Sequence, residues 1–156
     1  MNHSRLAGIV LLGAMAGISC NSSSDLPYSA PPAGYPLAFV MHDCAPWDGP
    51  AIAIVLTAHA LDSIEAAHPL ARVMIYPRGE LLSGHTYRWP SDPEMAAGIR
   101  CVSEDTCEMA TAGEVTLGPV RPDTPVEGRV LLRFVSGEEI AGGFRAIWLQ
   151  RRVMCG

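Results

Sequence analysis

From residue 37 onward the chain alternates short apolar or period-two runs with Gly and Pro, a pattern of strands and turns rather than of helices. Ala51-Ile-Ala-Ile-Val-Leu-Thr57 is a compact β-type run bounded by Gly49-Pro50, and Ala71–Tyr76 is a second, stopped by Pro77. His85–Trp89, ending at Pro90, then Ala97–Val102 and Gly113–Leu117 supply three more. The clearest signal is C-terminal. Gly128–Val135, the turn Ser136-Gly-Glu-Glu139 and Ile140–Leu149 predict a hairpin with a short Gly-containing loop. In the return strand Phe144, Ala146 and Trp148 share one face, and Arg145, Ile147 and Leu149 the other; Gly142-Gly143 predicts a bulge or bend there. Over Thr57–His68 a short helix with a thin apolar stripe, Leu61 and Ile64, competes with an irregular excursion. The expected fold is all-β: a small antiparallel β-sandwich or barrel of six to seven strands, with at most one short helix.

Before residue 37 the pattern changes. Arg5 precedes an uncharged run from Leu6 to Ser19, rich in Gly and Ala, and Cys20 follows. A basic start, an apolar core and small residues before a cut describe an export signal. The run is too short for a membrane-spanning helix, which needs roughly 20 apolar residues. Gly17-Ile18-Ser19-Cys20 resembles the lipobox of bacterial lipoproteins. That resemblance implies cleavage before Cys20 and acylation of its thiol and new amino group. Several acyl chains anchor stably, where one holds only marginally. The expected organisation is a signal over residues 1–19, a Ser/Pro-rich tether over 20–36 and one domain over 37–156.

Charge narrows the partners. The 11 basic residues are all Arg and face 16 acidic ones. Loss of Arg5 with the signal leaves ten against sixteen, a net charge of −6. Arg151-Arg152 is the only adjacent basic pair. Affinity for nucleic acid rests on clustered cations, so no nucleic-acid partner is expected. Cys44, Cys101, Cys107 and Cys155 remain besides Cys20, an even set that in an exported chain reads as two disulfides with three possible pairings. Cys101 and Cys107 flank a short polar stretch that can turn tightly, and Cys44 and Cys155 lie at the domain ends. The expected pairs are therefore 101–107 and 44–155. The long loop closed by the second is worth roughly 4–5 kcal/mol in the chain-entropy model.

His42-Asp-Cys-Ala-Pro-Trp-Asp-Gly-Pro-Ala51, Gly143-Phe-Arg-Ala-Ile-Trp148 and the terminal Cys155-Gly156 together resemble a pattern in uncharacterised small bacterial lipoproteins. The resemblance offers no activity; it implies that the two ends of the domain, each with a Cys and a Trp, meet in space.

Two patches stand out as candidate binding residues. Asp43, Trp47 and Asp48 around Cys44 offer carboxylates and an indole suited to a sugar or a cation. The competing reading is an Asp48-Gly49 turn, with Trp47 packed on the 44–155 bridge. Glu104 and Asp105 sit in the small disulfide loop, either as a preorganised recognition tip or as a solvated hairpin end. No catalytic residue is singled out. Ser63, Ser83, Ser91 and Ser103 lack a G-x-S-x-G setting. No spacing of His42, His59, His68 and His85 suits a metal, and no cofactor is expected. The leading expectation is a lipid-anchored cell-envelope protein, outer-membrane or periplasmic, acting as a non-enzymatic binding or accessory module. Its partners would be the membrane, through the anchor, and an envelope protein. An inhibitor of a secreted protease or cell-wall hydrolase is the second expectation, and a small hydrolase the third.

Overall fold

The computed structural model describes residues 29–60, 67–77, 83–91, 96–121, 123–150 and 153–155. The signal segment and Cys20 lie outside them, as do residues 61–66, on which most of the candidate helix falls.

The described chain is all-β. Its nine strands are β1 (Leu37–Cys44), β2 (Pro50–Thr57), β3 (Leu70–Ile75), β4 (Thr86–Trp89), β5 (Ala96–Ser103), β6 (Thr106–Met109), β7 (Ala112–Leu117), β8 (Val126–Arg133) and β9 (Glu139–Trp148). They form one mixed sheet in the order β4-β7-β8-β9-β1-β2-β3-β5-β6. Every neighbouring pair is antiparallel except β1 with β9. The sheet is open, with β4 and β6 at its edges, so its hydrogen bonding differs from the closed barrel or pair of separate sheets expected from sequence. The expected count of six to seven also falls short. β1 loses its apolar pattern at His42, Asp43 and Cys44, and β6, only Thr-Cys-Glu-Met, carries too little apolar pattern to read as a strand.

β1 and β9 meet at the middle of the sheet, joining two halves. Their parallel ladder pairs Ala38–Val40 with Ala146–Trp148, and the Leu149 amide donates to the Val40 carbonyl at 2.8 Å. One continuous core spans both halves: Val40, Ile52, Ile54, Leu56, Val73 and Ile75 from one, and Val115, Leu117, Val130, Leu132 and Phe144 from the other. Side chains so distant in strand order can share a core only if the sheet curls over on itself. The curl is tightest where β4 and β7 approach β5. There Trp89 lies over Gly98 and Gly113; a Cβ at position 98 would stand 2.8 Å from the indole, so the two glycines leave the room that the ring fills.

β2 is buried on both faces, which accounts for its unbroken apolar run. Its second face packs Ala53 and Val55 with Met41, Leu70 and Cys101. On β9, Phe144 and Ala146 enter the core as the alternation predicts, while Ile147 stays exposed and Leu149 packs on the outer cluster.

The outer faces are laced by ion pairs set directly across strands. Arg88 meets Glu114 at 3.0 Å, Arg133 meets Glu139 at 3.1 Å and Arg145 meets Glu127 at 3.5 Å, each pair being register partners. Opposite charges in register favour one alignment of the strands over its slipped alternatives.

Gly142-Gly143 does not form the expected bulge: the register of β8 with β9 runs without a shift from Val126 to Arg133. The two glycines instead admit residues 29–32. The Gly143 amide donates to the Ala30 carbonyl at 2.9 Å, and a Cβ at position 142 would lie 2.6 Å from the Pro32 nitrogen. Pro32 is buried and Tyr35 packs on the core. Residues 29–36, read from sequence as tether, thus lie along the sheet. Gly143→Ala is expected to destabilise the domain by about 1–3 kcal/mol and to expose the 29–32 segment to protease. Thermal denaturation and limited proteolysis check this; an unchanged melting point and cleavage pattern would refute the close approach.

Candidate functional site

Cys44 is bonded to Cys155, with Cα atoms 5.6 Å apart, and Cys101 to Cys107, with Cα atoms 4.1 Å apart. The second bridge crosses directly opposed residues of β5 and β6. Two disulfides point to an extracellular or envelope location rather than a cytoplasmic one.

The first sequence-predicted patch is divided rather than gathered. Asp43, at the end of β1, forms an ion pair with Arg72 of β3, reaching over the small side chains of β2, and its Oδ1 accepts the Cys44 amide at 2.8 Å. Trp47 stands 58 % exposed on the β1–β2 turn, with its ring 5.0 Å from that of Tyr76. In that turn Ala45 exchanges backbone hydrogen bonds with Asp48 and Gly49, and Asp48 takes φ 61°, a left-handed conformation that Asp tolerates better than most residues. Asp48 is therefore a turn residue. A shallow cleft of about 310 Å³ lies beside Asp43 and Arg72, floored by Met74, Tyr76 and Ile99. Burial pushes the Tyr76 hydroxyl pKa above its ordinary 10.0.

The second patch is a tight hairpin tip. Glu104 and Asp105 are the two residues between β5 and β6, held by the Cys101–Cys107 bridge, and both are exposed.

Next to that hairpin lies an electrostatic cluster that sequence reasoning missed. Arg100 of β5 donates to Glu108 through Nε at 3.1 Å and Nη2 at 2.7 Å, and pairs with Glu138 through Nη1. It also donates to the Ser136 hydroxyl at 3.2 Å and lies 4.7 Å above the Phe134 ring. Glu108 accepts the Ser136 amide at 3.1 Å. The cluster ties the β5–β6 hairpin to the β8–β9 turn, a fastening across the curl rather than a catalytic set. The bonds from Arg100, and next the Ser136 amide, hold the Glu108 carboxyl below its ordinary 4.5; the bond to Glu108 raises the Arg100 guanidinium above its usual range. Only the β5–β6 pairing of Arg100 with Glu108 was readable from spacing; Ser136 and Glu138 come from another hairpin.

The third feature is a cleft of about 380 Å³ at the junction of β1 and β9, within the range of ligand sites. Trp148, Ile52, Val120 and Leu149 form its apolar floor, with His42, Asp123 and Gln150 at the rim. The His42 and Trp148 rings lie 5.3 Å apart and are tilted by 33°. Gln150 Nε2 donates to Asp123 Oδ1 at 3.1 Å. The Trp148 indole N–H is buried and has no hydrogen-bond partner among the described residues. These residues come from β1, β2, the β7–β8 connection and the end of β9, so no local motif could announce them.

Of the serines weighed from sequence, the Ser83 hydroxyl accepts the Val120 amide at 2.9 Å and the Ser91 hydroxyl donates to the Arg88 carbonyl at 3.3 Å. Ser63 lies outside the described residues. Among the described residues no three of His, Cys, Asp and Glu converge on a common point. No protein-family model, no curated protein and no solved structure matches the chain.

Glu108 binds its proton less tightly in the folded chain than in the unfolded one. Its contribution is therefore present above the unfolded value of 4.5 and is lost as the pH falls through the lower folded value. Glu108→Gln is expected to lower the melting temperature at pH 7, with the gap to the wild type narrowing as the pH drops below 4.5. Melting curves at several pH values check this; a gap that stays constant into strong acid would contradict it.

Proposed function

We propose that the protein is a lipid-anchored envelope module that binds a partner rather than transforming a substrate. The observation that carries the reading is how the start of the domain is seated. With Ser29–Pro32 held along β9, only residues 21–28 separate the docked chain from Cys20. Such a segment spans at most about 30 Å when extended, so acylation of Cys20 would hold the domain close to the lipid surface. In this reading the curled sheet serves as a small sandwich-like scaffold, with two half-sheets facing one core and two bridges fixing it. On its outer faces Arg88, Arg133 and Arg145 are engaged in cross-strand pairs with Glu114, Glu139 and Glu127, and the Ser83 and Ser91 hydroxyls serve backbone hydrogen bonds. Among the described residues, the sites left open for a partner are concave or projecting surfaces without an activated nucleophile.

A second reading, an inhibitor of a secreted protease or cell-wall hydrolase, is favoured by one feature. The Cys101–Cys107 bridge clamps a two-residue acidic tip, a shape preorganised for insertion into another protein's site.

Cys20→Ser tests the anchor. The wild type is expected in the membrane fraction and the variant in the soluble envelope or medium. A variant that stays with the membrane would overturn the anchored reading.

A further inference from the structure

We propose that the cleft at the β1–β9 junction binds a saccharide, seating one face of a pyranose ring on Trp148 and taking its hydroxyls on Asp123 and Gln150. This rests on the binding-module reading and names the ligand class for it.

The chemistry of the walls selects the ligand. The floor is apolar and aromatic, from Trp148, Ile52, Val120 and Leu149. A pyranose ring presents a face of C–H bonds that packs on such a surface, while its hydroxyls project around the edge. The rim supplies what those hydroxyls need. Gln150 spends a donor on Asp123 Oδ1, and no other hydrogen bond to that carboxylate occurs among the described residues. Asp123 Oδ2 and the Gln150 carbonyl therefore present acceptors side by side, both on exposed residues. Gln150 Nε2 keeps its second N–H as a donor, whereas the Trp148 indole N–H is buried out of a ligand's reach. An alternation of acceptors and one donor around an aromatic floor suits a polyol, which offers both at every hydroxyl. An anionic ligand is disfavoured by Asp123. A cationic amine would find one carboxylate but no cage of aromatic faces, because His42 is tilted against Trp148.

The site is held in shape before a ligand arrives. Trp148 is the last residue of β9 and is paired with Val40 in the parallel ladder, and His42 lies two residues before the bridged Cys44. On the facing side Val120 is fixed by Ser83. Asp123 takes φ 58°, so its carboxylate is aimed by a backbone conformation that few side chains adopt. That left-handed geometry also governs the choice of variants. Asp123→Gly removes the side chain and Asp123→Asn removes only the charge, and Gly and Asn both accept the conformation, whereas Ala would add strain.

The test is isothermal titration of the full chain, purified in a polyoxyethylene detergent because sugar detergents would compete. Two neutral saccharide probes are chitotriose and maltotriose; tetramethylammonium is the cationic control. Saturable binding of at least one saccharide is expected, with chitotriose preferred if the ligand is an N-acetylated glycan and maltotriose if it is a plain glucan. Asp123→Gly and Gln150→Ala should each weaken it about tenfold, Asp123→Asn should weaken it less than Asp123→Gly, and Trp47→Ala should leave it unchanged. Circular dichroism and melting curves confirm that each variant is folded. The proposal is overturned if no saccharide binds the folded wild type, or if binding survives both Asp123→Gly and Gln150→Ala. Tetramethylammonium binding that Asp123→Asn and Asp123→Gly abolish equally would also overturn it, by making the cleft a cation site. None of these outcomes depends on where the chain fractionates, so failure of the saccharide site and failure of the anchor are read separately.

Discussion

The structure depends on one junction. β1 and β9, the first and last strands, lie side by side, and the parallel ladder from Ala38 to Val40 is the hydrogen-bonded join between the two halves of the sheet. A ladder so short is weak by itself, and parallel pairing of chain ends carries the full entropic cost of closing the loop between them. Three things compensate. The core is continuous across the join, so neither half can bury its inner face without the other. Residues 29–32 lie along β9 just before β1 begins. The Cys44–Cys155 bridge, spanning 111 residues, removes roughly 4–5 kcal/mol of closure entropy from the unfolded chain. Against a typical net stability of about 5–15 kcal/mol for a domain, that contribution decides whether the halves stay together.

A second fastening lies on the far side of the curl. Trp89 fills the space left by Gly98 and Gly113, and Arg100 draws Glu108, Ser136 and Glu138 into one cluster. The sheet stays open in its hydrogen bonding yet is closed by side chains, which lets both edge strands be only four residues long. Short edges limit unwanted pairing with other chains. The acidic tip and the Trp148 cleft lie at different places on this frame, one beside the Arg100 fastening and one at the β1–β9 junction.

Much of the frame was legible in the sequence. The runs from Ala51, Ala71, Gly113, Gly128 and Ile140 announce strands because their apolar residues are β-branched or alternate and end at Gly or Pro. Cys101 and Cys107 are close enough in sequence for their bridge to follow from a turn. What escaped depended on tertiary neighbours. Gly142-Gly143 signals a special backbone position, but only the location of Ala30 and Pro32 explains it as a close approach rather than a bulge. Trp47 follows a half-cystine by three residues in sequence, but its ring neighbour is Tyr76, just past the far end of β3, which no local pattern announces. The indole and carboxylate sought at Trp47, Asp43 and Asp48 occur together instead as Trp148 and Asp123, brought together by the β8–β9 hairpin and the β7–β8 connection.

The claim that the β1–β9 junction holds the domain together is tested most directly by hydrogen exchange with mass spectrometry, comparing the oxidised wild type with a Cys44→Ser, Cys155→Ser double variant. The account predicts that protection falls first in peptides covering Ala38–Val40 and Ala146–Trp148, while the β7–β8 and β2–β3 pairings remain protected longer. Equal protection of the junction in both proteins, or loss beginning at the outer strands, would contradict it.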